Sequence, residues 1–510
     1  VGKRIVVNAG LTETRVAVQE GNLLTELYIE RHARRSIVGS IYKGVVTNVL
    51  PGMQAAFVDI GLGKDAFLYA GDYTANLTEE AAVDAEAVET GNGDTDDVDV
   101  DEAEVRREPR VPIEEALRKG QEVLVQVSKE SLGTKGARVT SFISVPGRYL
   151  VYMPQSHHTG VSRRIRDEAE RERLRAIIRG LNPPAGGYIV RTNAEGKGEE
   201  EFAADVQFLA RLWAQVQERY ERVAAPAVLH EERDLTFRVV RDLLSPDVEE
   251  FLVDSREVYD KCLDYVRTLV PALTERVRLY EGAAPIFDAL GIEKEIEKAL
   301  RRRVWLKSGG YIVIDHTEAL VSIDVNTGKY VGKRDFEQTV LKINLEAVGE
   351  IVRQIRLRDL GGIIIIDFID MEVAEHREQV ERALKKALAD DKARTNVLAI
   401  SDLGLVEMTR KRVRQDLRSL LTVACPGCKG TGVIKSDAAL AAEILRNIPA
   451  KVAESGKREV VIRAHPELAA HLDGDARDAL QRLAARLDVK IAVQHASRDV
   501  QREDYEIQLR

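Results

Sequence analysis

Two aspartates carry the pattern best suited to chemistry: Asp324 in the run SIDVN and Asp367 in the run IIIIDFID. Each closes a strand-like segment, and a single amphipathic helical pattern lies between them. A strand–helix–strand unit sets its two strands parallel, so both carboxylates can emerge at one edge of a sheet. Two hard oxygen donors converging there suit a divalent cation such as Mg²⁺. Such a cation lowers the pKa of a bound water and neutralises charge on a phosphate during in-line attack, which suffices for phosphodiester hydrolysis. Side chains two apart share a strand face, so Ser322 and Asn326 point with Asp324, while Ile323 and Val325 face a core. Asn326 is therefore a nearby hydrogen-bonding group. Asp367 follows Ile363 and Ile365 on one face, and Asp370 is a supporting candidate that falls on the other face unless the strand has already ended.

A lone aspartate at a strand end more often caps a turn. Two of them, in strands otherwise apolar on both faces, are harder to explain that way, because an unpartnered buried carboxylate is costly. Lys329, Lys333 and Arg334 in the following loop suit either a phosphate chain or plain solvation.

A second constellation is Cys425 and Cys428 within CPGCKGTG, the spacing of one zinc knuckle. A tetrahedral structural site needs four ligands, and no histidine lies close by in sequence. Cys262 stands alone in a helical pattern and reads as core. A second copy of the motif from another subunit completes a Cys₄ site and predicts an oligomer. A redox dithiol is the competing explanation, weakened by the absence of a thioredoxin-like βαβ pattern around the motif.

Other residues suit single-stranded nucleic acid. Phe57 and Phe67 lie on successive strand patterns, with Lys43, Lys64, Lys129 and Lys135 in the same unit. The competing expectation is that both phenylalanines are core. Arg163, Arg164 and Arg166 form one basic cluster, and Arg410, Lys411, Arg412 and Arg414 form another, expected on a helix.

The elements that must position these groups follow from periodicity. KRIVVNAG, TRVAVQEG and LLTELYIER alternate as paired strands; YKGVVTNV, QAAFVDIG, DAFLYAG and QEVLVQVSKE read as a small antiparallel barrel. DEAERERLRAIIR reads as a helix, and 201–222 as a long one with Phe202, Phe208, Leu209, Leu212 and Val216 on one side. The stretch 235–300 reads as strand-rich at FRVVRDLL and FLVDS, with two helices. GGYIVIDHTEALVSIDVNTG is a hairpin, and the helix 336–358 is expected to stop at Gly361-Gly362. The tail 436–510 reads helix, strand, helix, strand, strand: a small α+β module.

The 510 residues allow several cores. The net charge of −9 is misleading, because residues 79–104 hold twelve Asp or Glu and no Lys or Arg; without those twelve charges −9 becomes +3. That acidic segment, 75–111, reads as a surface insertion in the barrel. No apolar run spans a membrane, the first residues lack an apolar signal core, and three cysteines form no disulfide framework. These features predict a cytoplasmic protein. A non-catalytic RNA-binding protein is the rival to a nuclease. A different phosphotransferase is a third option, without a nucleotide-binding glycine loop to support it.

The runs SIDVNTGKYVGKRDFEQTVLKINLEA, IRLRDLGGIIIIDFIDM and CPGCKGTG closely resemble the ribonuclease E/G family of endoribonucleases. The likeness covers nearly the whole chain, to at least residue 435, and is nearer the shorter ribonuclease G branch. It implies a multidomain α+β and α/β chain. A ribonuclease H-like fold would be split between 1–36 and 236–300. An S1-type OB barrel would occupy 37–141, a 5′-end sensor 142–235, a deoxyribonuclease-like catalytic domain 301–421, a zinc link 422–435 and a small α+β domain 436–510.

By the same resemblance, Asp324 and Asp367 match the Mg²⁺ ligands, and Asn326 the residue that orients the scissile phosphate. Arg191 and Thr192, with Gly147, Val151 and Arg394, match the 5′-monophosphate pocket. Phe57, Phe67 and Lys135 match RNA contacts, with Lys129 a further candidate, and Cys425 and Cys428 the Zn²⁺ site shared between subunits. The implied activity is cleavage of single-stranded RNA, ribosomal precursors and messenger included, by a metal-activated water. It would leave 5′-phosphate and 3′-hydroxyl ends and be favoured by a 5′-monophosphate. The implied assembly is a homodimer or homotetramer, with other RNA-decay proteins as possible partners. The acidic insertion departs from the family pattern.

Overall fold

The computed structural model describes residues 2–34, 36–73, 111–130, 136–162, 164–232, 234–328, 336–401, 403–412, 414–497 and 501–510. The chain forms two compact units, Val1–Leu420 and Leu421–Arg510. Among the described residues no helix is long and apolar enough to cross a membrane. The acidic run, apart from Val111, lies outside the described residues, as do Lys135, Arg163, Lys329, Lys333 and Arg334.

In the first unit, the strands Lys3–Ala9, Glu13–Glu20 and Leu23–Arg31 form an antiparallel meander. Val248–Val253 joins it in parallel beside Lys3–Ala9, with Val277–Leu279 beyond. One sheet thus draws on two stretches far apart in the chain. FRVVRDLL, expected as a strand, is instead within the helix Leu235–Asp242. Leu235, Val239 and Val240 follow the helical spacing, but over so short a span Phe237, Val239 and Val240 also suit a strand; Asp234 caps the helix by accepting from the Phe237 N–H.

The strands Ile41–Leu50, Ala55–Asp59, Ala66–Tyr69, Arg138–Thr140 and Glu122–Lys129 close into a five-stranded barrel, because Ile41–Leu50 pairs with both Ala55–Asp59 and Glu122–Lys129. Val46, Ala56, Val58, Leu68, Val125 and Val139 fill it. This closed barrel matches the OB-like architecture expected here. A four-stranded sheet built on Leu150–Met153 and Gly187–Val190 packs under the helices Glu168–Leu181 and Glu199–Arg222 through Leu174, Ile178, Phe202 and Leu209.

The sheet that carries the aspartates has the order Arg303–Trp305, Tyr311–His316, Leu320–Asn326, Gly362–Asp367, Leu405–Arg410, Thr395–Val397. One face is covered by the helices Phe336–Arg358 and Ala374–Ala387. Ile323, Val325, Ile364, Ile366, Val406 and Met408 meet Val340, Ile343, Val348, Ile355, Val380 and Leu384 there. At the end of the first helix Asp359, not a glycine, takes the left-handed conformation, with φ of 51°. The Leu360 N–H then returns to the Ile355 carbonyl at 3.0 Å.

The second unit runs helix Asp437–Ser455, strand Glu459–Ala464, helices Pro466–Asp473 and Arg477–Leu487, then strands Lys490–His495 and Tyr505–Leu509. Glu459–Ala464 and Lys490–His495 pair in parallel. A βαβ crossover therefore does exist in this unit, downstream of the cysteines, where none was expected.

Candidate active site

The crossover does to the aspartates what parallel pairing requires. Leu320–Asn326 and Gly362–Asp367 are neighbours, and Asp324 and Asp367 are direct register partners. Their Cα atoms are thus about one strand spacing apart, roughly 5 Å. Burial alternates along the first strand, with Val321, Ile323 and Val325 inward and Asp324 exposed. Asp367 is exposed as well. The expectation that they sit in strands buried on both faces is therefore corrected: the helices cover one face, and the carboxylates stand on the other. Their exposure follows from alternation alone.

The Asn326 amide Nδ2 donates to Asp324 Oδ2 at 2.7 Å. Burial, the neighbouring Asp324 charge and then Asp370 push the Asp367 carboxyl above its ordinary value. Asp370 lies past the strand end at Asp367, so the alternation that would have turned it away no longer applies. Among the described residues, no three His, Cys, Asp or Glu side chains converge as a metal cage. The donor set still fits a hard divalent cation, because Mg²⁺ commonly takes one or two carboxylates and fills the remainder with water. Mutual repulsion between Asp324 and Asp367 is what such a cation would relieve.

The residues expected around a 5′ phosphate come partly together. Arg191 is 7% exposed, and its Nη1 donates to the Gly147 carbonyl and to Asp242, each at 2.7 Å. Thr192 Oγ1 lies 3.3 Å from Ser162 Oγ. Val151 is buried in the adjoining strand opposite Ile189. Buried Asp205 organises this corner by accepting from the backbone N–H groups of Arg148, Tyr149 and Leu150 at 3.0, 2.8 and 2.9 Å. A Cβ on Gly147 would fall 2.5 Å from the Asp205 carboxylate, so only glycine fits. Arg394 is exposed, on a segment whose Lys392 carbonyl accepts from Arg164. The sequence did not signal Arg241. It is buried against Asp242 and Glu232 at 3.0 Å and shares Asp242 with Arg191.

On the barrel, the core is built from Ala56, Val58, Ala66 and Leu68, which leaves Phe57 and Phe67 half-buried on the outer face. They meet edge-on with centroids 5.4 Å apart, and Tyr69 extends the row at 4.6 Å from Phe67. The core explanation of these rings is set aside. Lys129 is the register partner of Arg138 beside this row. Lys43 is corrected: it is buried, its Nζ bonded to the carbonyls of Tyr220 and Val223 at 3.1 Å and to Glu122 at 3.0 Å. The expected helical cluster at 410–414 is likewise corrected. Arg410 ends a strand and is held by Asp391 and Asp359, each at 2.7 Å, and Arg414 also binds Asp359.

In the second unit, Cys425 is exposed and Cys428 half-buried. The backbone N–H groups of Gly432 and Gly430 point at the Cys428 sulfur and hold its thiol below the ordinary value. Left-handed residues at Lys429, Gly430 and Gly432 shape this knuckle, which presents N–H groups to a thiolate. Cys262 is buried in the core of the first unit, where burial pushes its thiol up to about 12.

Paired carboxylates on an open sheet, and an OB-like barrel with aromatics outward, are features that suit a nucleic-acid-cleaving class of protein. Comparison with known proteins is consistent with this. The model of the Ribonuclease E/G family matches residues 144–413, and that of the RNase E/G thioredoxin-like domain matches 424–510. Ribonuclease G of Escherichia coli is 44% identical over 96% of both chains, and Ribonuclease G of Haemophilus influenzae is 43% identical over 92% of this chain and 91% of its own. Ribonuclease E of Escherichia coli is 37% identical over 95% of this chain but only 44% of its own length. The chain belongs to the ribonuclease E/G family, on the ribonuclease G branch.

Proposed function

We propose that this endoribonuclease cuts single-stranded RNA at the Asp324–Asp367 pair, in RNA processing and decay, leaving a 5′-phosphate and a 3′-hydroxyl. The supporting observation is the direct register of the two carboxylates on adjacent parallel strands, with the Asn326 amide on Asp324. Asp324 and Asp367 would hold one divalent cation, Mg²⁺ by the hardness and small number of the donors. Bound there, the cation supplies acidity toward a water and positive charge for the phosphate oxygens.

The Asn326 amide has two hydrogens. One fixes the Asp324 carboxylate, and the other is placed to donate to a phosphate oxygen. As the water oxygen bonds phosphorus, the P–O3′ bond breaks. The 3′ oxygen departs and takes up a proton, and the phosphate stays on the downstream fragment. Asp370 adds negative charge beside Asp367 and strengthens the grip on a cation.

In the same proposal, the corner of Gly147, Val151, Arg191 and Thr192, with Arg394 nearby, receives a 5′-monophosphate that favours engagement. Arg191 offers a charged fork and Thr192 a hydroxyl. Asp242 tolerates competition for Arg191 because Arg241 grips it as well. Phe57, Phe67 and Lys129, with Lys135, supply stacking and charge for RNA on the barrel. Cys425 and Cys428 of two copies complete a Cys₄ zinc site and link a dimer, or a dimer of dimers.

The test is cleavage of a short 5′-monophosphorylated RNA in Mg²⁺ by purified Asp324→Asn and Asp367→Asn variants. Loss of cleavage with RNA binding retained is expected; variants that cut as well as the unaltered protein refute the assignment. For the zinc link, Cys425→Ser is expected to release zinc and lower the sedimentation coefficient.

A further inference from the structure

We propose that Trp305, backed by Tyr311 and Arg303, is a stacking platform for a base of the RNA lying across the catalytic sheet. This rests on the endoribonuclease reading above and adds a subsite to it. Pairing in the sheet puts Trp305 opposite Tyr311, and Tyr311 opposite Asn326. Directly opposed residues share a face, so these three side chains form one row on the open face. The adjacent row runs Arg303, Val313, Asp324, Asp367. Trp305 is therefore two strands from Asn326, on the order of 10 Å across the sheet. At the rise of stacked nucleotides this spans roughly three residues of RNA.

The local geometry shows which ring is open to a ligand. Trp305 is 62% exposed, an unusual position for so large an apolar side chain. Tyr311 meets it edge-on, with centroids 5.3 Å apart and planes at 63°. The Arg303 guanidinium sits over the Tyr311 ring at 4.4 Å and lies 5.8 Å from the Trp305 ring. Arginine thus covers the tyrosine and braces the tryptophan, while the indole remains largely open to solvent. An exposed indole beside a guanidinium offers a base a π-face and its phosphate a positive charge, the pairing used by proteins that bind single strands without reading sequence. On the barrel, the row of Phe57, Phe67 and Tyr69 gives the same chemistry at a second place, with Arg138 4.8 Å from the Tyr69 ring.

Trp305 reports on its own occupancy, because the chain has two tryptophans, the other being Trp213. The experiment uses full-length Trp213→Phe combined with Asp324→Asn, titrated with a short 5′-monophosphorylated single-stranded RNA. Tryptophan emission and RNA anisotropy are followed together. Saturable quenching of Trp305 at the same RNA concentration as the anisotropy change is expected. An RNA of equal length with abasic positions about three nucleotides to either side of the scissile phosphate is expected to bind without quenching. In the active protein, Trp305→Ala is expected to raise KM roughly 5- to 30-fold with kcat little changed, and Trp305→Phe to recover most of the loss.

Full RNA binding without quenching overturns the proposal. So does an unchanged KM in Trp305→Ala, or a Trp305→Ala effect confined to sedimentation, which would make the patch a contact between copies. The quenching assay involves no cleavage, so its result stands apart from that of the aspartate variants. An Asp324→Asn protein that still cuts RNA would remove Asp324 from the cleavage step, and the quenching would then be read with an RNA whose scissile linkage cannot be hydrolysed.

Discussion

Charge is treated in opposite ways in two parts of this molecule. Around Arg410, carboxylates and guanidinium groups are buried together and satisfied internally. Arg410, itself 5% exposed, bonds Asp391 twice, Asp359 and the Leu360 carbonyl. Nearby, burial raises the Glu26 carboxyl, but Lys392 and Arg356 outweigh it and hold the group well below its usual range. On the open face of the catalytic sheet, Asp324 and Asp367 stand side by side, and the pair pushes Asp367 up instead. Compensated charge holds the unit together; uncompensated like charge leaves a demand that an external cation can meet.

The sharpest break of this contrast is at the aspartates. Asp367→Asn is expected to lower kcat about a thousandfold or more while leaving the thermal midpoint unchanged or slightly raised, as steady-state cleavage and calorimetry would show. Arg410→Met is expected to do the reverse. It would strand Asp391 in the interior and leave Asp359 with Arg414 alone, costing about 3–5 kcal/mol in a denaturant titration, while the soluble fraction still cleaves RNA. Gly147→Ala tests the compensated side more gently. The new Cβ would press on the Asp205 carboxylate, and a loss of about 1–3 kcal/mol is expected. The preference for 5′-monophosphorylated over 5′-hydroxyl RNA would shrink with it.

The smallest effect is in pH. Glu26 is depressed in the fold, so its contribution is present above the ordinary glutamate value and fades as pH falls through the lower folded value. Asp367 is raised, so the metal-free fold keeps that proton more tightly than the unfolded chain does. Its effect on stability is most favourable below the ordinary aspartate value and is lost as pH rises through the folded value. Unfolding curves of Asp367→Asn and Glu26→Gln across the acid range are expected to depart from the unaltered protein in opposite senses. Saturating Mg²⁺ should reverse the sign of the Asp367 difference, because the ion stabilises the unaltered protein more than the variant, and leave that of Glu26.

Much of the geometry around the two aspartates could be read from the residues, because it depends on local rules. Alternation put Asp324 and Asn326 on one side of their strand and Ile323 and Val325 on the other, and the buried positions Val340, Ile343, Val348, Val352 and Ile355 follow the helical period. What escaped depends on distant partners. Lys43 looks like any barrel lysine until the carbonyls of Tyr220 and Val223 arrive beside it. Arg410 and Arg414 look like an exposed basic cluster until Asp359 and Asp391 enclose them. The helix Leu235–Asp242 is short and rich in Phe and Val, residues that favour strands until the neighbouring elements pack against it. Trp305 carried a faint signal, a large aromatic in the basic run RRRVWLK, but only the pairing with Tyr311 places it in line with Asn326.

The side-by-side registration of Asp324 and Asp367 also constrains how the protein can change. Hydrogen bonding between the strands sets the separation of the carboxylates, and the helix Phe336–Arg358 between them is held by its own packing on the sheet. Sliding one strand by a single residue would instead turn its aspartate into the oily interior and silence the enzyme at once. A deletion within either strand is therefore expected to abolish cleavage, as an assay of the purified variant would show.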